Sequence, residues 1–259
     1  MSSLLDPLSH LILHPYLNTL LKVLATTTGR DKLQRGVQYY ARLLAWVYAR
    51  AGRIEDSKKW EGVKGVFGNA RKVLRMFKFL EHLQSALRLS ASAASSRGTD
   101  WAQITQIARQ VGYAGFLFFD HVAWAAGVRL INLSKGTQER VNKLSQRFWL
   151  AGITLSLVHA GQRFSQIRAE KRRLLATTAS STSSSEKGTP EAEKKVRMSS
   201  LRAEHAAVRT QLVQDALDIW LPASNLGIAE VGDGFAGLAG TITSAMGFYA
   251  AWQKAAGGK

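Results

Sequence analysis

Cysteine is absent from the 259 residues, so no disulfide framework, thiolate nucleophile or Cys-ligated metal enters the account. Proline is scarce, with four residues interrupting an otherwise helix-compatible chain. The sequence contains no P-loop, no H-E-x-x-H and no G-x-S-x-G, and nothing else points to an enzyme. The six histidines, at positions 10, 14, 82, 121, 159 and 205, are scattered. His10 and His14 stand four apart, but Pro15 follows directly and spoils a helical metal pair, so no metal or other cofactor is expected. The opening MSSLLDPLSH lacks a basic stretch followed by a long apolar one and is not expected to act as a secretory signal. Acid is the other shortage. Only 18 Asp and Glu stand against 35 Lys and Arg, and a net charge of +17 attracts anionic partners, either nucleic acid or an acidic membrane surface.

What is present is apolar periodicity at helical spacing, without convincing strands, in a chain that is 46% hydrophobic. Pro15 opens a helix with Leu17, Leu20, Leu21 and Leu24 on one face, and Gly29 is placed to end it. Asp31 reads as the N-cap of a second helix whose stripe is Leu33, Val37, Tyr40, Ala41, Leu44 and Tyr48, stopped by Gly52. Residues 90–99 read as a linker, and 176–199, rich in Ser, Thr, Glu and Lys, as a polar loop. The expected organisation is an N-terminal helical region over 1–89, central hydrophobic helices over 100–175, the loop at 176–199 and a C-terminal helical region over 200–259.

Charge concentrates in residues 57–89, where eight Lys or Arg face two acids, whereas residues 200–259 carry four against five. At about 100° per residue, Val63, Val66, Phe67, Val73, Leu74, Phe77 and Leu80 share one face of a single amphipathic helix. Lys64, Arg71, Lys72, Arg75 and Lys78 share the opposite one. This is the pattern of a helix lying in a membrane interface, apolar face in the acyl boundary and cations at the headgroups. Five cations at about 1 kcal/mol each give roughly 5 kcal/mol of attraction to an anionic leaflet before screening. The same pattern fits a helix that packs its apolar face on the first two helices and leaves its cations in solvent.

Gly234 to Trp252 is nineteen residues without charge, long enough to span a bilayer. Small residues recur along it at fourfold spacing, Ala236, Gly240 and Ser244 with Gly247 nearby, and predict close helix–helix association between copies of the chain. Residues 111–130 are also long enough but are interrupted by Asp120 and His121, with Arg129 near the end. Phe148 to Gly161 is a 14-residue run better suited to a core or interfacial helix. The fold expected is therefore all-α: a membrane-associated helical protein with an amphipathic interfacial helix and a C-terminal hydrophobic, transmembrane helix.

The stretch LATTTGRDKLQRGVQYYARLLAWV, residues 24–47, carries Gly29, Arg30, Asp31, Lys32, Arg35 and Tyr39 in an order that resembles the N-terminal signature of the peroxin-11 family in its fungal-like form. The segment from Asn225 through Gly237, Gly240, Thr243, Ser244 and Gly247 to Trp252 is similar to that family's C-terminal end. The resemblance implies a peroxisomal membrane protein, both termini in the cytosol, that elongates and tubulates the membrane, self-associates as a homo-oligomer and recruits the dynamin-related fission machinery. An anionic phospholipid membrane is then the partner, and nucleic acid is not, since a nucleic-acid binder does not account for the uncharged C-terminal run. A pore or channel for small solutes, lined by Asp120, His121 and Arg129, is the alternative reading.

Overall fold

A computed structural model describes residues 9, 10, 12–95, 100–181 and 191–257, and among them there are helices and no strand. Helix α1 runs Pro15–Leu24 and α2 Thr27–Arg50; α3 spans Ile54–Leu74 and α4 Lys78–Ser95. Then come α5 (Trp101–Gly127), α6 (Lys135–Ser181), α7 (Glu191–Asp218), the short α8 (Trp220–Asn225) and α9 (Asp233–Ala255). Pro15 is the first residue of α1, where its missing N–H and fixed φ cost nothing. Thr26, not Asp31, caps α2, its side chain accepting from Gly29 N–H, and Asp31 lies inside that helix. Gly29 does not end α1. It sits in the first turn of α2, where a Cβ would come within 2.1 Å of the Val23 carbonyl oxygen, so only glycine permits this tight α1–α2 corner. Gly52 stops α2 as expected, at φ +74°.

Two three-helix groups organise the chain. α2 packs between α3 and α9, and α5 packs between α4 and α6, with α7 alongside α6 and α9. α5 and α6 approach closely through glycine: a Cβ on Gly112 would lie 2.9 Å from the Gly152 Cα. The helices reach into both stretches expected to be loops, since α4 continues to Ser95, α6 to Ser181, and α7 begins at Glu191. Residues 96–99 and 182–190, the remainder of those stretches, lie outside the described residues.

The amphipathic segment 57–89 is not one helix. It breaks at residues 75–77, where Phe77 takes φ +63°, a left-handed conformation unusual for an aromatic residue, and α4 starts afresh at Lys78.

The expected transmembrane helix is also corrected. Among the described residues no helix is long and apolar enough to cross a membrane. Gly, Ser and Thr dilute the apolarity of α9, and its small residues are spent inside the chain. A Cβ on Gly237 would lie 2.6 Å from the Leu43 backbone nitrogen, one on Gly240 within 2.2 Å of the Tyr39 ring, and one on Gly234 2.7 Å from Trp46. The residues 232–237 also spell G-x-G-x-x-G, but no strand precedes them among the described residues and two of the glycines, Gly234 and Gly237, seat α9 on α2, so the dinucleotide-binding context is missing.

The close α2–α9 seat gives the first test. Gly237→Leu must push backbones apart and should lower the melting temperature of the detergent-solubilised protein markedly. Gly62→Ala, in a helix interior with open space around it, should instead stabilise by roughly 0.5–1 kcal/mol. Equal melting of G237L and wild type by circular dichroism would refute the packing role.

Candidate functional site

The amphipathic segment is mounted with Arg71, Lys72 and Arg75 turned inward, whereas Lys58, Lys59 and Arg88 are exposed. Arg71, 7% exposed, donates from Nε to Asp31 Oδ1 at 2.9 Å and from Nη1 to Gln38 Oε1 at 2.7 Å, tying α3 to α2. Asp120 on α5 accepts from Arg75 Nη2 and Lys72 Nζ, both at 3.1 Å, and Arg75 Nε also lies 3.8 Å from Asp31. Lys64 pairs with Glu61 one turn away on its own helix, and Lys78 is half-buried.

A second knot joins α2 to α7 and α9. Arg35, buried, donates from Nη2 to Asp218 Oδ1 at 2.7 Å and from Nη1 to Thr243 Oγ1 at 2.8 Å, while Thr243 Oγ1 donates to the same Asp218 oxygen at 2.7 Å. Its guanidinium also stands 5.1 Å from the Tyr39 ring centroid, a cation–π contact. These two knots line a polar, partly open cavity of about 480 Å³ to which α2 through α8 all contribute residues.

Burial shifts the protonation of the groups around it. Burial alone would raise the Asp31 pKa, but Arg71 and Arg75 outweigh it and hold the carboxyl below its ordinary value. Lys32, desolvated and beside Arg35, is pushed down from 10.5 to about 8. Asp215, raised by burial, accepts from Ser156 and Gln211.

The apolar side of the segment faces outward. Val66 is 67% exposed, Phe77 64% and Leu80 48%, with Val73 exposed and Val63, Phe67 and Leu74 half-buried. Leu83 and Leu87 extend the row along α4, and Phe118 on α5 adjoins it through an edge-on contact with Phe79. An apolar surface of this continuity marks a contact with lipid or protein. The expected C-terminal set is placed differently from the sequence reading: Ala236, Gly240 and Ser244 are buried against α2, and Gly247 lies under the Lys32 side chain.

Of Asp120, His121 and Arg129, only Asp120 lines the cavity; His121 packs beside Phe79 and Arg129 is exposed past the end of α5. No group of His, Asp and Glu among the described residues is arranged to hold a metal. The sequence brought Arg35 and Thr243 forward only as part of the family resemblance, with no role attached, and did not single out Asp218. The one local signal was Asp31 and Arg35, four apart and in line with Tyr39, which puts two opposite charges on a helix face otherwise suited to burial.

These features define a class: an all-helical protein with ionic groups tied inside and apolar side chains outside, the disposition of a protein that meets a membrane. Comparison with known proteins makes it specific. Residues 17–252 match the model of Peroxisomal biogenesis factor 11 (PEX11), and the chain belongs to that family. It is 25% identical to Peroxisomal membrane protein PMP27 of Saccharomyces cerevisiae over 94% of this chain and 97% of that one. Likewise it is 26% identical to Peroxisomal membrane protein PMP30B of Candida boidinii, over 94% and 96%. With Peroxisomal biogenesis factor 11 of Schizosaccharomyces pombe it shares 24% identity over 90% and 93%. No solved structure matches the chain. It is thus a peroxisomal membrane protein concerned with peroxisome biogenesis and proliferation, in a family generally without enzymatic activity.

The ionic knots generate two tests. Asp31→Asn leaves the Arg71 guanidinium buried without its counter-charge and should cost about 3–5 kcal/mol in denaturant unfolding. Replacing both partners, Asp31→Leu with Arg71→Met, should recover much of that loss; a double variant no more stable than D31N would refute the pairing. Lys32 gives a pH dependence of defined sign. Its folded pKa of about 8 lies below the ordinary 10.5, so between these values the folded chain binds fewer protons than the unfolded one. The penalty of a charged Lys32 is full below pH 8 and fades as pH rises through that window. Stability measured from pH 7.5 to 10 should therefore contain a rising component that Lys32→Gln removes.

Proposed function

We propose that the chain binds, elongates and tubulates the peroxisomal membrane, promoting peroxisome proliferation and division, with α3 and α4 lying in the bilayer interface. The observation that carries this reading is the outward apolar row Val66, Val73, Phe77, Leu80, Leu83 and Leu87 on the segment whose Arg71, Lys72 and Arg75 are held inward. Phe77 and Leu80 enter one leaflet to a depth of about 5–10 Å and expand it relative to the other, and curvature follows from the area mismatch. Full burial of each large side chain contributes about 1.5–3 kcal/mol, enough in sum for reversible attachment without a spanning helix. The net charge of +17 favours anionic phospholipid. Arg71, Lys72 and Arg75 serve a second role, fixing the rotation of α3 so that its apolar side meets the lipid. Self-association and recruitment of the dynamin-related fission machinery complete the reading, on the strength of the family resemblance.

The test uses full-length protein added to liposomes with and without anionic lipid, viewed by electron microscopy. Phe77→Ser with Leu80→Ser removes exposed apolar surface and should leave melting unchanged while reducing tubules several-fold. Undiminished tubulation by this variant, folded to the same melting temperature, would sink the wedge mechanism.

A further inference from the structure

The charge inside the 480 Å³ cavity does not balance. Six cations line it: Lys32, Arg35, Arg71, Lys72, Arg75 and Lys78. Four carboxylates do so as well, Asp31, Asp120, Asp215 and Asp218, which leaves two positive charges in excess even with every carboxylate ionised. The carboxylates are already shared. Asp218 holds Arg35, Asp31 serves Arg71 and approaches Arg75, Asp120 serves Lys72 and Arg75, and Asp215 is occupied by Ser156 and Gln211. Among the described residues Lys32 and Lys78 have no carboxylate within salt-bridge distance, although both line the cavity. Cations gathered around one partly open cavity without counter-charges of their own repel one another unless an anion joins them.

We propose that this cavity is a binding site for a phosphate group, with Lys32 and Lys78 as its principal cationic ligands and Arg71 and Arg75 as its flanking donors. The chemistry fits in three respects. A phosphomonoester carries close to the two negative charges that the cavity lacks. Lysine ammonium groups supply mobile point charges, and arginine supplies planar donors suited to phosphate oxygens. Arg71 uses Nε and Nη1 on Asp31 and Gln38, and Arg75 uses Nε and Nη2 on the Arg71 carbonyl and Asp120, so each guanidinium retains one Nη without a hydrogen bond to a described residue. The desolvated state of Lys32 agrees, since a bound dianion would raise its pKa back toward the ordinary value. The wall also carries amides, Gln146, Gln211, Gln214 and Asn225, able to hold the ester portion of a small ligand. This site is separate from the outward apolar row, and its occupancy does not depend on membrane tubulation.

The phosphate can arrive free in solution or as a lipid headgroup, and the experiment separates the two. Full-length protein is placed in phosphatidylcholine nanodiscs and titrated with glycerol 3-phosphate, and in parallel incorporated into nanodiscs containing phosphatidic acid, with thermal stability and calorimetric binding as readouts. Saturable, near-stoichiometric binding of glycerol 3-phosphate identifies a soluble ligand; stabilisation by phosphatidic acid alone identifies a headgroup. In either case Lys32→Gln with Lys78→Gln should weaken binding at least tenfold. Lys32→Arg with Lys78→Arg should retain it, and Lys58→Gln, on the exposed start of α3, should leave it unchanged. The Gln pair removes like-charge repulsion and breaks no ion pair, so the unliganded variant should melt no lower than wild type. Absence of saturable stabilisation by either probe, or equal affinity in the Gln pair, overturns the site.

Discussion

An amphipathic helix can be rotated about its axis to bury either side, and in α3 the choice falls to two carboxylates on other helices. Asp31 from α2 and Asp120 from α5 hold Arg71, Lys72 and Arg75 inward, and with that rotation set Val66 and Val73 have nowhere to go but out. The arrangement is unfavourable in water on both counts. It desolvates cations at several kcal/mol each before pairing, and leaves side chains exposed whose burial is worth about 1.5–3 kcal/mol apiece. Buried ion pairs of this kind are weak sources of net stability but strong determinants of geometry, because any rotation that breaks them strands a charge. On the proposed reading the second cost disappears, because the outer surface lies among acyl chains, while the first is offset only by the pairing with Asp31 and Asp120.

The same network accounts for what the sequence discloses and what it hides. The apolar and basic arcs of residues 57–89 are legible because helical periodicity is local, and the helical class follows for the same reason. Which arc faces inward is not legible. It depends on Asp31, forty residues from Arg71, and on Asp120, forty-five from Arg75, and periodicity carries no information about partners so distant. The break at Phe77 is equally silent, since neither proline nor glycine marks it. The N-terminal signature Gly29, Arg30, Asp31, Lys32, Arg35 and Tyr39 pointed to the family before its structural purpose was visible. Gly29 permits the α1–α2 corner, Asp31 and Arg35 anchor the two knots, and Tyr39 lies under Gly240.

Small residues at fourfold spacing posed the opposite problem, a legible signal with two meanings. In Ala236, Gly240 and Ser244 the spacing does mark close helix approach, as expected, but the partner is α2 of the same chain. A stripe of this sort specifies how near a helix can come and not whose helix it is. The Thr243 hydroxyl, within hydrogen-bond distance of Arg35 and Asp218 of the same chain, adds a polar contact to that approach. The uncharged face that suggested a bilayer span instead serves to bring α9 against a helix that carries charge.

The kink at Phe77 divides the labour of the amphipathic segment. Upstream, α3 is tied to the body by Arg71, Lys72 and Arg75, and peeling it away means separating buried opposite charges. Downstream, α4 meets α5 through Phe79, which packs on Phe118, through His82 beside Tyr113, and through hydrogen bonds of His82 with Gln110 and of Gln103 with the Leu89 carbonyl, with its leucines at positions 80, 83 and 87 exposed. On the proposed reading the two halves therefore contribute differently. α3 presents a fixed edge whose depth in the leaflet is set by the body of the protein, whereas α4 is held by ring contacts and hydrogen bonds without an ion pair among the described residues. The left-handed turn at Phe77 places the largest exposed apolar side chain of the segment at the junction, where, on the same reading, a wedge anchored on one side exerts leverage on the leaflet.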